Sequence, residues 1–129
     1  MQPRHRSVII AARVLLGLFL LMSGVTGIMA GMNGMEGIPE AMRPASQTLW
    51  DTGIFQMIKV TEIVAGLMLV VGFLPALAAI FIAPVAIGII VFNLRVAPAN
   101  LPAGIIVCLF NAYLGYAYWD KYKALFTRP

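Results

Sequence analysis

The run IVAGLMLVVGFLPALAAIFIAPVAIGIIVFNL, residues 63–94, decides the fold, because it is strongly apolar and contains no charged side chain. A membrane-spanning helix needs about 20 mostly apolar residues, so the run is too long for one comfortable span. The tetrapeptide GFLP at residues 72–75 interrupts it with a glycine and a proline, which favour the end of a helix. The sequence therefore predicts two membrane helices here, joined by a very tight turn.

The rest of the chain extends this pattern to four spans. An uncharged stretch begins after Arg13, and the segment VAPANLP at residues 96–102 separates the last two helices. The connection between the first two helices is compatible with a short amphipathic helix at residues 39–50, but an ordered connector with interfacial methionines is the simpler expectation. We predict a single domain with an outer loop at 31–53 and helices at about 8–30, 54–71, 76–94 and 103–119.

The composition agrees with a chain that is solvated by lipid. It has 129 residues, enough for one domain, of which 61% are hydrophobic and only 11% are charged, with a mean hydropathy of +0.93. Soluble domains contain roughly 25% charged residues. The predicted fold class is an all-α membrane protein, a four-transmembrane-helix bundle.

The distribution of basic residues predicts the orientation of this bundle. Four helices place both termini on one side of the membrane, and Arg43 and Arg95 then face the other side. Basic residues are enriched on the cytoplasmic side, so both termini are expected to be cytoplasmic. The residues that support this orientation are Arg4, Arg6, Arg13, Lys121, Lys123 and Arg128.

The numbers of cysteine and histidine residues and the positions of the basic residues exclude several classes of function. The chain has one cysteine, Cys108, which excludes an intrachain disulfide and a CxxC redox or zinc motif. Its one histidine, His5, excludes a bis-histidine haem site within a single chain. The basic residues flank apolar spans and form no surface patch, so nucleic acid is not an expected partner. No metal site is predicted, and any electrons would have to be carried by another molecule.

Polar residues inside the predicted spans are the candidates for a functional site. Ionisable groups within a span are costly and usually face the bundle interior or a cavity. By the helical rise, Glu62 lies roughly 12 Å below the outer surface, level with Asn111 and Ser23. A second level nearer the surface contains Lys59, Asn93 and Thr26.

Most polar residues within the spans also have a purely structural interpretation. Arg13 and Lys59 can snorkel toward the headgroups, and Ser23 and Asn111 can form hydrogen bonds between helices. Glu62 is harder to explain in this way, because its short side chain cannot reach water and must be paired, protonated or hydrated by a cavity. Lys59 and Glu62 are three residues apart, so they share one helix face.

These residues belong to segments that carry a family resemblance. The segments ARVLLGLFLLMSGVTGIM, DTGIFQMIKVTEIVAGLMLVVGFLPALAAIFIAPVAIGIIVFNL and FNAYLGYAYWDKYKALF resemble the DoxX-like family of small bacterial membrane proteins. The central segment is similar to the family pattern K-x-x-E-x-x-x-G-x-x-L. The resemblance implies a four-helix bundle in the bacterial inner membrane and carries the family's lysine and glutamate over to Lys59 and Glu62. Asn93 stands where many relatives have histidine, and Thr26 stands where relatives often have asparagine or a lysine nearby.

Three functions remain open at this stage. The first is binding of a hydrophobic small molecule, a quinone or a lipid-like compound, or of a membrane partner, in a cavity between the first, second and fourth spans around Glu62. The second is an accessory or scaffold subunit of a quinone-linked redox complex, which the resemblance alone supports through the family's label of putative oxidoreductase. The third is a structural or chaperone-like protein without a ligand; a proton-coupled transporter is a weaker fourth. The chain is not expected to be an enzyme alone. The sequence encodes no cofactor site, although a quinone is possible, and the small residues Ser23, Gly27 and Gly31 make a homodimer plausible.

Overall fold

The computed structural model describes residues 6–126, so Arg4, His5 and Arg128 lie outside the described residues. The described part is helical, with four helices long and apolar enough to cross a membrane, which confirms the predicted fold class. The six α-helices are α1 (Arg6–Met32), α2 (Arg43–Asp51), α3 (Ile54–Val71), α4 (Pro75–Val96), α5 (Leu101–Ala117) and α6 (Trp119–Tyr122).

The observed spans correspond to α1, α3, α4 and α5. The second span has the expected limits, whereas α1 and α4 extend about a turn or less beyond theirs, and α5 begins and ends two residues earlier. The outer loop differs more, because it contains α2 after a 3-10 turn at Glu40–Met42. The side chain of Arg43 donates to the carbonyl of Ile38 over 2.9 Å and so ties the start of α2 to the loop. The amphipathic-helix alternative therefore describes this loop better than the simple connector.

The GFLP segment forms the predicted tight turn between α3 and α4. Gly72 has a left-handed backbone with φ of 79°, and the N–H groups of Gly72 and Phe73 both donate to the carbonyl of Met68. Glycine adopts this conformation without a steric penalty, which is why it commonly ends a helix. Pro75 then starts α4, where its missing N–H costs nothing.

The four spans pack as a ring in chain order. The closest packing joins α1 to α3 and α4 to α5, and the ring is completed by contacts of α3 with α4 and of α1 with α5. Each span contributes one large, fully buried aliphatic side chain to the core: Leu20, Leu69, Ile82 and Leu114. Many other large apolar side chains face outward, as expected for a surface in contact with lipid.

Glycines allow α1 and α3 to approach very closely. A Cβ atom added at Gly17 would lie 2.8 Å from the carbonyl oxygen of Gly66, and one added at Gly66 would lie 2.8 Å from the carbonyl oxygen of Gly17. Farther along α1, Gly27 packs against the stem of Lys59, and Gly31 packs against the ring of Trp50. The small residues considered for a homodimer are therefore occupied by contacts within the chain.

The C-terminal segment folds back against the start of α4. The hydroxyl of Tyr122 donates to the carbonyl of Ala76 over 2.6 Å, and the rings of Trp119 and Phe126 stack with centroids 5.6 Å apart. At the same end of the bundle, the guanidinium group of Arg13 lies against Gly72 in the α3–α4 turn. This end is opposite the end that carries α2.

Candidate ligand-binding cleft

Three polar side chains meet between α1 and α3. The ammonium group of Lys59 lies 3.2 Å from a carboxylate oxygen of Glu62 and donates to the hydroxyl of Ser23 over 3.2 Å. The Ser23 hydroxyl in turn donates to the same Glu62 oxygen over 3.2 Å. The Glu62 side chain is only 2% exposed, against 18% for that of Lys59. Glu62 is therefore buried and paired, which was one of its three expected states.

The helical geometry explains why these side chains converge. Lys59 and Glu62 lie three residues apart in α3, a spacing that places two side chains on one face. Ser23 reaches them from α1, where Gly24 and Gly27 leave room for α3: a Cβ atom at Gly27 would lie 2.6 Å from Cε of Lys59. The Lys59 ammonium also lies 5.4 Å from the centre of the Phe55 ring, within the range of a cation–π interaction.

The cluster forms one wall of a cleft of about 430 Å³. Ser23 of α1 and Lys59 of α3 line this cleft together with Glu36 and Ile38 of the outer loop. The lining combines polar groups with apolar side chains, and it extends from α1 into the loop that precedes α2. Its lining residues are Ser23, Thr26, Gly27, Met29, Ala30, Asn33, Glu36, Gly37, Ile38 and Lys59.

Thr26 and Asn33 line the cleft, and each donates one side-chain hydrogen bond to a carbonyl of α1. The Thr26 hydroxyl donates to the carbonyl of Met22 over 2.7 Å, and the Asn33 amide donates to the carbonyl of Met29 over 2.9 Å. An ammonium group has three N–H donors. Two N–H donors of the Lys59 ammonium are directed to Ser23 and Glu62. The third is left for a hydrogen-bond acceptor in the cleft.

Asn93 and Asn111 take part in contacts elsewhere in the bundle. The amide of Asn93 donates to the carbonyl of Asn100 over 3.1 Å and so secures the turn between α4 and α5. The amide of Asn111 donates to the carbonyl of Ala79 in α4 over 3.2 Å. The structure thus brings together Ser23, Lys59 and Glu62, with Thr26 in the same cleft, and separates both asparagines from this group.

The cleft also lies in a different position from the cavity expected between the first, second and fourth spans. It is bounded by α1, α3 and the outer loop, and α5 contributes none of its lining. It was not predicted from the sequence that Asn33 and Glu36 line the cleft, because a depth in the membrane was assigned only to residues within the spans. The segment GMNGMEG at residues 31–37 did contain a signal for a turn in this place, because its glycines permit the left-handed backbone found at Gly34 and Gly37.

No cluster of three or more His, Cys, Asp or Glu side chains that could hold a metal ion occurs among residues 6–126. The lining of the cleft offers hydrogen bonding and charge. It presents one ammonium donor whose charge is balanced by a buried carboxylate, next to apolar walls contributed by Met29, Ala30 and Ile38.

Comparison with known proteins identifies the family. No curated protein and no solved structure matches the chain. The family model described as DoxX matches residues 8–94, which include α3 and most of α1 and α4. The matched region spans more than half of the sequence and contains the polar residues discussed for this site except Asn111 and Asn100. The chain belongs to the DoxX family.

Proposed function

We propose that this DoxX protein binds an uncharged amphiphile in the cleft, through a head group that accepts a hydrogen bond from Lys59. The observation that carries this proposal is the position of the Lys59 ammonium, which is held by Ser23 and Glu62 and still borders the cleft. A quinone carbonyl and a lipid ester carbonyl are both acceptors of this kind.

The charge balance supports an uncharged head group. Glu62 lies 3.2 Å from Lys59 and compensates its charge, so no ligand anion is needed to neutralise the ammonium. Glu36 adds a carboxylate to the cleft lining and disfavours a negatively charged ligand further. A neutral carbonyl avoids the cost of moving an ion out of water.

The apolar part of the cleft supports an amphiphile. Its volume of about 430 Å³ falls within the roughly 300–1,000 Å³ of small-molecule sites. The cleft lies near the end of the bundle that carries α2, where Met29 and Ile38 form apolar walls beside the polar cluster. A tail that leaves the cleft along α1 would continue over side chains such as Met22 and Val25, which are exposed on that helix.

Binding can be measured with two probes that share the acceptor chemistry. Native mass spectrometry of protein purified from its own membranes is expected to show a bound quinone or neutral ester lipid. Titration with a decyl-substituted benzoquinone and with monoolein then identifies the head group, because only the true class should displace it. The double variant Lys59→Met/Glu62→Gln is expected to bind about tenfold more weakly or worse, because it lacks a charge-assisted hydrogen bond.

The matched control is Thr61→Val, which changes an α3 side chain that bonds only its own helix and does not line the cleft. It should bind like the unaltered protein. Equal binding by the double variant and this control, or no saturable binding of either probe, would reject the proposal.

A role as an accessory subunit of a quinone-linked redox complex is an extension of the same proposal. It is supported by the family membership and by a cleft whose donor suits a quinone carbonyl. The single cysteine and single histidine of the chain mean that the electrons would come from a partner. Affinity purification from native membranes tests this extension, which fails if no oxidoreductase subunit co-purifies.

We also propose that both termini face the cytoplasm and that the cleft opens near the outer surface. In a Cys108→Ala background, a membrane-impermeant maleimide applied to intact cells or spheroplasts is expected to label Glu40→Cys, which is exposed in the outer loop. Lys121→Cys, exposed after α5, should react only after permeabilisation. The opposite labelling pattern would reverse the assigned orientation.

A further inference from the structure

A second hollow lies between α4, α5 and the C-terminal segment. It is a groove of about 730 Å³, almost entirely apolar, and Ala79, Ala83, Gly115 and Trp119 are among its lining residues. It uses the N-terminal half of α4 and the C-terminal half of α5, whereas the cleft uses the C-terminal part of α1 and the N-terminal part of α3. Because neighbouring helices in the ring are antiparallel, the two hollows lie toward opposite ends of the bundle.

Asn111 is the polar group at the inner wall of this groove. Its side-chain nitrogen donates to the carbonyl of Ala79 over 3.2 Å, which fixes the amide orientation, because a flipped amide would place two oxygens face to face. The side-chain oxygen is buried and has no hydrogen-bond partner within residues 6–126. The residue is only 8% exposed. An unmet buried acceptor destabilises the fold, and lipid offers it no water.

The surroundings of this acceptor are uncharged. The groove lining contains no acidic or basic side chain. The hydroxyl of Tyr122, also in the lining, already donates to Ala76. Burial raises the pKa of Tyr122, and the neighbouring Tyr118 adds to the rise, so this phenol stays protonated and holds that bond. The groove therefore lacks a hydrogen-bond donor at one defined position.

We propose that the groove binds a neutral apolar alcohol or phenol, whose hydroxyl donates to the side-chain oxygen of Asn111 and whose body lies along Ala83, Gly115 and Trp119. An anion has no compensating charge in this lining, and a plain acyl chain leaves the Asn111 oxygen unmet. Because the Asn111 oxygen is buried in this structure, binding of the hydroxyl requires a small outward displacement of the groove side chains around it. In the groove the ligand donates the hydrogen bond, whereas in the cleft the protein donates it.

The test compares two probes that differ only in the donor. A bromine-labelled octylphenol and its methyl ether are titrated against purified protein, and quenching of tryptophan fluorescence is recorded. Trp119→Phe shows which part of the signal comes from the groove, because Trp50 is the other tryptophan of the chain. The phenol is expected to bind about fivefold more tightly than the ether, the value of one ordinary hydrogen bond.

Two substitutions locate the binding. Asn111→Leu should remove the preference for the phenol over the ether, because it removes the acceptor and keeps the shape. Gly115→Leu should abolish quenching by both probes by filling the groove, since nothing lies within 4 Å of a Cβ atom there. Gly88→Leu is the matched control: it also has open space around its Cβ and does not line the groove. It should bind like the unaltered protein.

Equal binding of phenol and ether to the unaltered protein would overturn the proposal, as would quenching that survives Gly115→Leu. So would a crosslinked dimer that buries Trp119, because a second copy would then fill the groove. If Asn111→Leu does not fold, binding of the two probes to the unaltered, Gly115→Leu and Gly88→Leu proteins still tests the proposal. The result is independent of the cleft, since Lys59→Met/Glu62→Gln should leave the phenol preference unchanged.

Discussion

Lys59→Met is expected to destabilise the protein by about 3–5 kcal/mol, the usual cost of removing one partner from a buried ion pair. The reason lies in Glu62, whose side chain is only 2% exposed and whose carboxylate oxygen lies 3.2 Å from the lysine ammonium. Without Lys59, that carboxylate must be buried unpaired or take up a proton. The free energy of unfolding can be measured by denaturant titration in mixed micelles.

A double-mutant cycle separates this effect from lost packing along the lysine stem. Lys59→Met/Glu62→Gln removes both charges, and its glutamine keeps the length of Glu62 and can still bond Ser23. It should therefore recover most of the stability lost in Lys59→Met alone. If the two single substitutions simply add, the pair is not coupled and the cluster does not stabilise the fold as described.

The same double variant distinguishes a ligand-binding role from a purely structural one. Coupling between Lys59 and Glu62 is expected in both cases, because the two charges pair within α3 and both bond Ser23 of α1. Only the ligand-binding account predicts that a variant of nearly normal stability binds the quinone or lipid probe about tenfold more weakly or worse. A stable double variant with normal binding would leave the pair a structural role alone.

The second large effect is expected at the crossing of α1 and α3. Gly17→Leu and Gly66→Leu should each destabilise the protein by about 3 kcal/mol or more, at the upper end of the usual overpacking cost. At both positions an added Cβ atom would lie 2.8 Å from a carbonyl oxygen of the facing helix. Backbone atoms cannot move aside as the end of a flexible side chain can, so the helices must separate.

The control for this prediction is Gly88→Leu in α4, where nothing lies within 4 Å of the added Cβ atom. Leucine is a better helix former than glycine by somewhat less than 1 kcal/mol, so this variant should be neutral or slightly more stable. The measurement is again the free energy of unfolding. Comparable stability of Gly17→Leu, Gly66→Leu and Gly88→Leu would contradict the close approach of α1 and α3.

The sequence predicts the spans well because their signals are local. Length, hydropathy and the GFLP turn at residues 72–75 define the four helices, since lipid requires long apolar helical segments whatever their neighbours are. The outer loop is harder, because α2 is short and polar, and its position depends on contacts such as Arg43 with Ile38.

The candidate site could be predicted only in part, because depth along a helix does not give the direction of a side chain. Ser23 and Glu62 share a level and do meet. Asn111 was placed at the same level, yet its amide bonds the carbonyl of Ala79 in α4. The direction depends on which helices become neighbours around the ring. The small residues of α1 show the same limit: their spacing indicates close packing, but not whether the partner is α3 or a second chain.

The most direct measurement of the central claim is an experimental structure of the protein in lipid discs formed from its native membrane. The account predicts density for a neutral amphiphile within the cleft, with a carbonyl oxygen at hydrogen-bond distance, about 2.7–3.2 Å, from the Lys59 ammonium. It also predicts that this ammonium keeps its contacts with Ser23 and Glu62. A cleft closed by its own side chains, or ligand density only on the lipid-facing surfaces, would contradict it.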